Sequence, residues 1–210
     1  MTLQKGHMAE KFFDKAYGLD SQDKVDQLYS DWADTYDQEV EGYGYASPIR
    51  CAEALAKFHP KDHPVLDFGC GTGLSGMALS KVGFETIDGI EISTPMLEKA
   101  RSLNVYRQLF QGDIDDPFPF PLGTYSAITA VGVISAGAGP AELLDSALDE
   151  LSPGGLICFS YNDHTLEDQT YLDAIDRAGK SAKAEMVFEE YGDHLPVRGV
   201  KSIVYVLKRL

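Results

Sequence analysis

The sequence is short of positive charge. Its 210 residues include 18 Lys and Arg against 33 Asp and Glu, which gives a formal net charge of −15 at pH 7. A surface of that sign repels phosphate backbones and anionic lipid headgroups. The composition therefore argues against DNA, RNA or a membrane surface as partners, and it favours neutral or cationic small molecules.

Cysteines and long apolar runs are also scarce. The three cysteines, Cys51, Cys70 and Cys158, form no C-x-x-C pair, so we expect neither a zinc site nor a disulfide framework. No apolar run approaches 18 residues, and the first ten residues contain no apolar stretch of the kind found in secretory signals. These absences predict a cytoplasmic protein with no membrane span and no metal.

The chain has the length and composition of one globular domain. Hydrophobic residues make up 44% and charged residues 24%, which suffices for a substantial core. We expect residues 1–60 to form an N-terminal helical lid or entry segment and residues 61–210 to form a cofactor-binding core. Within the lid, the pattern of residues 1–20 does not decide between a short helix and a frayed tail.

Residues 65–76 form the stretch around which the chain is organised. An apolar run passes through closely spaced glycines into a helical pattern, which predicts a buried parallel strand, a tight turn and a helix that begins at the turn. Glycine adopts backbone angles that other residues resist and lets a ligand approach the main chain. The amides at the start of the helix face that ligand.

Two classes of cofactor use such a turn. Gly71, Gly73 and Gly76 match the dinucleotide pattern G-x-G-x-x-G, which alone is weak evidence for a nicotinamide nucleotide. Asp67 places an acidic group at the end of the strand, and this suits a ligand with a cationic end better than one with a pyrophosphate. Glu91, at the end of the second predicted strand, can accept the ribose hydroxyls of either cofactor.

The remaining pattern predicts an α/β protein. Apolar segments at 65–68, 84–91, 106–110, 125–133 and 156–161 read as parallel strands separated by helices, and two further strands at 185–190 and 201–207 should form an antiparallel pair. Ser47 is predicted to cap a helix with Pro48 in its first turn. A single helix is expected over 165–179.

Five features in this order resemble the class I S-adenosylmethionine-dependent methyltransferases. They are Asp67 with the glycine turn, Glu91, the pair Asp113-Ile114, the sequence Leu-Ser-Pro-Gly-Gly at 151–155 and the terminal hairpin. The resemblance covers residues 29–210. It implies a Rossmann-like, doubly wound, seven-stranded sheet, mostly parallel with a C-terminal antiparallel hairpin and with helices on both faces. A dehydrogenase would also need a substrate domain, for which no residues remain.

The resemblance also implies a binding site for S-adenosylmethionine, with S-adenosylhomocysteine as the product. In this family an Asp after the third strand accepts the adenine amino group, which assigns that contact to Asp113, with Ile114 and Ile92 on the two faces of the ring. The other implied contacts come from the first strand, the glycine turn and the end of the fourth strand, namely Asp67, Gly69, Cys70, Gly71, Gly73 and Val131. The Cys70 thiol itself is interpreted as a small buried side chain rather than a nucleophile.

The N-terminal segment resembles the lid helix of small-molecule methyltransferases. It contains Trp-Ala-x-x-Tyr-Asp at 32–37, and residues 131–135 lack the Asn-Pro-Pro-Tyr type of sequence found in enzymes that methylate nucleobase amino groups. The sequence thus predicts methyl transfer to N or O of a small molecule, with Tyr36 and His164 as candidates for handling the acceptor's proton. The alternative is a non-catalytic binder of the cofactor that serves as a partner or sensor module.

Overall fold

The computed structural model describes residues 22–210, so the question raised for residues 1–20 lies outside the described residues. Helices and strands alternate along the chain. In order they are α1 (Gln22–Gly42), α2 (Ser47–Leu55), β1 (Val65–Phe68), α3 (Leu74–Val82), β2 (Ile87–Glu91), α4 (Thr94–Ser102), β3 (Gln108–Gln111), β4 (Ala127–Val131), α5 (Glu142–Glu150), β5 (Leu156–Asn162), α6 (Asp163–Leu166), α7 (Gln169–Lys180), β6 (Ala184–Leu195), a 3-10 turn (Pro196–Arg198) and β7 (Val200–Arg209).

The strands form one seven-stranded sheet in the order β3-β2-β1-β4-β5-β7-β6. The first five strands are parallel, and β7 runs antiparallel to both β5 and β6. The predicted α/β fold with a terminal antiparallel hairpin is therefore confirmed. The chain leaves the centre of the sheet at β1, reaches one edge at β3 and returns to β4, so a switch point lies between β1 and β4. Ligands of open α/β sheets bind outside the carboxyl ends of the strands at such a point.

Helices cover both faces of the sheet. Alternate residues of a strand point to opposite faces, and Val65 and Leu66 accordingly belong to different hydrophobic clusters. The Val65 cluster includes side chains of α2 and α3, and the Leu66 cluster includes side chains of α5 and α7. Every residue of β1, β2 and β5 is buried, as expected of strands covered on both sides.

Two local predictions are wrong. Ser47 does not cap α2, because its hydroxyl is buried in contact with His194 Nδ1 at 2.8 Å and Ser202 Oγ at 3.0 Å, and Ala46 is the capping residue. The helix predicted over 165–179 is two helices. Asn162 caps the first through the Thr165 amide, and Asp168 caps the second through the Thr170 amide. The Ser47 prediction failed because the hydrogen-bond partners of Ser47 are distant in sequence. The single-helix prediction failed because Asp168 caps a second helix.

Among residues 22–210, no helix is long and apolar enough to cross a membrane.

Candidate functional site

A cavity of about 320 Å³ lies at the carboxyl ends of β1, β2 and β4. Its volume is at the lower end of the roughly 300–1,000 Å³ common for small-molecule sites. The wall is formed by the glycine turn after β1, the end of β2, the loop after β3 and the segment after β4, with Tyr36 of α1 at one side. The fold thus places a ligand-sized space at the switch point of the sheet.

The glycine turn exposes main-chain atoms, uncovered by side chains, to one side of this cavity. Gly69, Gly71 and Gly73 all have positive φ angles, at 63°, 54° and 100°. A Cβ on Gly69 would lie 2.4 Å from Cγ2 of Val133, whereas a Cβ on Gly71 would meet nothing closer than the Met96 sulfur at 3.9 Å. Gly69 is therefore required by packing, and Gly71 keeps the main chain accessible from the cavity.

Glu91 links the turn to the end of β2 through hydrogen bonds. Its carboxylate accepts the Gly71 N–H at 2.9 Å and the Ser93 N–H at 2.8 Å, and only 8% of the residue is exposed. Each carboxylate oxygen has two lone pairs, so an oxygen that accepts one amide can also accept a ligand hydroxyl. Glu91 lines the cavity, where it can hold both hydroxyls of a ribose.

Asp113 lies on another part of the wall between exposed apolar side chains. One of its carboxylate oxygens accepts the Asp115 N–H at 2.9 Å. Ile92 and Ile114 also line the cavity and are 37% and 49% exposed, although burial of such side chains is favourable. A flat heterocycle between them would cover this apolar surface and present its amino group to Asp113.

The charge of the wall fits a cationic ligand. Glu91 and Asp113 are the only charged side chains among the described residues that line the cavity. A pyrophosphate would meet two carboxylates and no balancing cation, whereas a sulfonium with an ammonium tail would meet a complementary field. The two carboxylate acceptors and the open face at Gly71 fit S-adenosylmethionine, and they fit a nicotinamide dinucleotide poorly.

Asp67 lies beneath the turn. Its fully buried carboxylate accepts hydrogen bonds from the hydroxyls of Ser75 at 2.6 Å, Tyr106 at 2.7 Å and Thr129 at 3.1 Å. Asp67 is not part of the cavity wall, so its contact with a ligand stays a prediction. The geometry gives it the role of a support that ties the end of β1 to α3, to β4 and to the loop before β3.

Cys70 and Gly73 also lie beside the cavity rather than on its wall. Cys70 is 3% exposed. Burial raises the pKa of its thiol well above the ordinary value, and the charges of Asp67 and Glu91 raise it further. The thiol is thus held protonated, which disfavours a nucleophilic role. Gly73 is the N-cap residue of α3.

Of the two proton-handling candidates, Tyr36 lines the cavity and His164 does not. His164 is an exposed residue in the short helix α6, just after β5. Val131 lies on the wall at the end of β4. The structure therefore brings Tyr36 and Val131 together with Gly69, Gly71, Glu91, Ile92, Asp113 and Ile114, and it leaves His164 outside this group.

Sequence reasoning missed the part played by Tyr106. Its ring and hydroxyl fill the space beside three glycines, since a Cβ on Gly73, Gly76 or Gly89 would lie 2.3–3.3 Å from them. The same hydroxyl donates to Asp67. A tyrosine in the loop before a short strand has no distinguishing local pattern, so only the packing of this loop against the glycine turn and β2 reveals its role.

The buried Asp67 predicts a pH-dependent stability. Burial raises its pKa from 3.8 to about 6, although the surrounding hydroxyl donors act in the opposite direction. The folded protein therefore binds this proton more tightly than the unfolded chain. The contribution of Asp67 to the free energy of unfolding increases as the pH falls from above about 6, its pKa in the folded protein, to about 3.8, its pKa in the unfolded chain. The increase is on the order of 2–3 kcal/mol.

The measurement compares wild type with Asp67→Asn by urea unfolding between about pH 4 and pH 8. Other carboxyl groups contribute to both proteins, so the difference between the two unfolding free energies isolates Asp67. As the pH falls, the free energy of unfolding of wild type should increase relative to that of Asp67→Asn. A difference that does not change with pH would contradict the assignment.

Comparisons with known proteins show the family of the chain. A family model described as a methyltransferase domain matches residues 36–204. Human methyltransferase-like protein 27 is 30% identical over 174 residues, covering 78% of this chain and 71% of the human protein. The ubiquinone biosynthesis O-methyltransferase of Vibrio parahaemolyticus serotype O3:K6 is 30% identical over 190 residues, covering 86% of this chain and 77% of the relative. A SAM-dependent methyltransferase of Leishmania major superposes with a TM-score of 0.65 at 19% identity, covering 95% of this chain and 91% of that structure.

The relatives are named for different methyl acceptors. A shorter match, 35% identical over 100 residues, joins 47% of this chain to 33% of a Bos taurus 18S rRNA (guanine-N(7))-methyltransferase. The relatives thus include enzymes named for RNA and for ubiquinone biosynthesis, and the acceptor of this chain has to be argued from its own residues.

Proposed function

This chain belongs to the class I S-adenosylmethionine-dependent methyltransferases, and on that premise we propose that it transfers a methyl group to a nitrogen or oxygen atom of a small-molecule acceptor. The cofactor is S-adenosylmethionine, and the product is S-adenosylhomocysteine. The observation that carries the proposal is the shared cavity of Glu91, Asp113 and Tyr36. It joins two carboxylates suited to an adenosine with an aromatic side chain from the helix α1.

The proposed cofactor contacts follow from the wall of the cavity. Glu91 accepts the ribose hydroxyls, and Asp113 accepts the adenine amino group. Ile92 and Ile114 cover the two faces of the ring, and the main chain at Gly69 and Gly71 faces the amino-acid tail, with Val131 closing the wall. Asp67 supports the turn from below through its contacts with Ser75 and Thr129.

In the proposed mechanism the protein mainly positions the two reactants. The bound cofactor supplies an activated methyl group on a sulfonium. This chain's residues orient the acceptor for in-line attack and keep water away. Tyr36 contacts the acceptor in this proposal, because it lies on the cavity wall and comes from α1, which belongs to the lid segment. His164 stays a second candidate for proton removal, since α6 begins where β5 ends.

Charge supports a small, non-anionic acceptor. The cavity wall carries two carboxylates, and no described Lys, Arg or His lines it. The whole chain has a net charge of −15. RNA would therefore be repelled both at the cavity and at long range, and a phosphorylated or carboxylated acceptor would be disfavoured close to Glu91 and Asp113.

The test is a titration followed by an acceptor survey. Calorimetry with S-adenosylmethionine and S-adenosylhomocysteine should show binding at a single site, and a nicotinamide dinucleotide should give no heat. S-adenosylhomocysteine formation is then measured with neutral and cationic amines, phenols and alcohols, with carboxylate and phosphate analogues of each, and with RNA. We expect turnover with uncharged or cationic acceptors.

Two results would contradict the proposal. Absence of binding by wild type would remove the cofactor assignment, and turnover confined to RNA or to anionic acceptors would remove the acceptor class. Tight binding without turnover on the whole panel would instead favour the non-catalytic sensor.

A further inference from the structure

A side-chain hydrogen bond joins the helix α1 to the glycine turn. The Thr72 hydroxyl donates to Asp37 Oδ1 at 2.5 Å. Thr72 is 3% exposed and Asp37 is half-buried. An O–H···O⁻ bond of this length is charge-assisted and stronger than a neutral one. It links residues 35 positions apart in sequence, one on the lid and one in the turn.

The turn is a rigid anchor for this bond. Thr72 lies between Gly71 and Gly73, whose positive φ angles fix the course of the chain. The Gly71 amide is held by Glu91, and the Gly73 amide donates to the Cys70 carbonyl at 2.9 Å. The position of the Thr72 hydroxyl is therefore determined by the same contacts that shape the cofactor cavity.

The neighbour of Asp37 on the helix is Tyr36, which lines the cavity. Successive helical residues are about 100° apart around the axis, so fixing Asp37 also fixes the rotation and height of Tyr36. The residue after the C-terminal end of α1 makes separate contacts. The Val197 N–H donates to the Tyr43 carbonyl at 3.3 Å, and Arg198 lies over the Tyr43 ring at 5.3 Å. The Asp37 contact connects α1 directly to the glycine turn.

We propose that Asp37 is a positioning residue that ties α1 to the glycine turn through Thr72 and thereby holds Tyr36 over the cavity. The turn that receives the cofactor and the helix that covers the acceptor then move as one unit. The effect of the Asp37–Thr72 bond on catalysis rests on the proposed function. The attachment of α1 to the turn can be measured without any ligand.

The first test is hydrogen–deuterium exchange of residues 35–42 in the protein without ligand. In Asp37→Ala and Thr72→Val the exchange of these amides should be about tenfold faster than in wild type, because the lid opens more often. Thr72→Ser retains the hydroxyl and should restore wild-type exchange. Thr35→Ala is the matched control, since it removes an exposed hydroxyl-to-carboxylate bond with Glu39 on the same helix and should change nothing.

The second test measures S-adenosylhomocysteine affinity and the ligand's effect on exchange. Asp37→Ala and Thr72→Val should each weaken binding by about 10- to 100-fold, in line with the loss of one hydrogen bond to a charged group. The double variant should be no weaker than either single variant, because both remove the same bond. In wild type the ligand should slow exchange at residues 35–42, and in these variants this protection should be lost.

Unchanged exchange and affinity in both Asp37→Ala and Thr72→Val would overturn the attachment. Additive losses in the double variant, or failure of Thr72→Ser to restore wild-type behaviour, would overturn it as well. If wild type bound no S-adenosylhomocysteine, the proposed function would fail, and exchange in the ligand-free protein would still decide the attachment.

Discussion

Replacing Glu91 with alanine is expected to weaken the binding of S-adenosylmethionine by about 100-fold or more. The carboxylate accepts the amides of Gly71 and Ser93, so the change both removes the ribose acceptor and releases the turn. A hydrogen bond to a charged group contributes about 1.5–3 kcal/mol. The loss of the ribose contacts alone therefore accounts for roughly a 100-fold change in Kd.

Two further variants separate these effects. Glu91→Gln keeps the shape of the side chain and one good acceptor, so its loss of affinity should lie between wild type and Glu91→Ala. Glu98→Ala removes an exposed carboxylate of α4 that is not on the cavity wall and should bind as wild type does. Calorimetry on all four proteins, with melting temperatures to verify folding, gives the comparison. Wild-type affinity in Glu91→Ala would exclude Glu91 from the site.

Substitution of Gly71 by alanine is expected to lower cofactor affinity by about 10- to 100-fold. Gly71 has φ of 54°, and its Cβ would meet no protein atom closer than 3.9 Å, because that side faces the cavity. An added methyl group would occupy the space through which the ligand approaches the main chain. Overpacking of this kind typically costs about 1–3 kcal/mol, which corresponds to the expected change in Kd.

Gly154→Ala is the matched control. Gly154 also has a positive φ, at 89°, and a Cβ there would meet nothing within 4 Å. It lies between α5 and β5, away from the cavity. Both variants should lose roughly 1–2 kcal/mol of stability because an L-residue is strained at this φ. Only Gly71→Ala should lose cofactor affinity, and an equal loss in Gly154→Ala would mean that backbone strain explains the effect.

The central strands and the turn could be predicted because their signals are local. The apolar run of β1, the glycines after it and the helical pattern beyond them occupy a dozen consecutive residues. The position of Glu91 at the end of β2 follows from the same reasoning. Since parallel strands share an edge, the convergence of Glu91 with Gly71 could be expected before any coordinates were known.

Other features depend on contacts between distant residues. Asp67 accepts hydrogen bonds from Tyr106 of the loop before β3 and from Thr129 of β4, and its own sequence neighbours indicate neither contact. Ser47 looked like a helix cap and is instead bonded to His194 of β6. No local pattern specifies such pairs, since each partner alone is an ordinary core or capping residue.

The cavity itself could be predicted only in part. Asp113 and Ile114 were assigned through the family resemblance, and both line the same cavity as Glu91. The lining also includes Pro140, in the segment after β4, and Leu143 of α5, which follow no motif. Their contribution is fixed by how that segment folds back over β4, where Ser135 N–H donates to the Gly139 carbonyl at 3.1 Å.

A crystal structure of the protein with S-adenosylhomocysteine would show the cofactor contacts themselves. We expect the ribose hydroxyls at Glu91, the adenine between Ile92 and Ile114 with its amino group at Asp113, and the sulfur facing the side of the cavity where Tyr36 lies. A ligand bound elsewhere, or one in this cavity whose ribose and adenine touch neither Glu91 nor Asp113, would contradict this expectation.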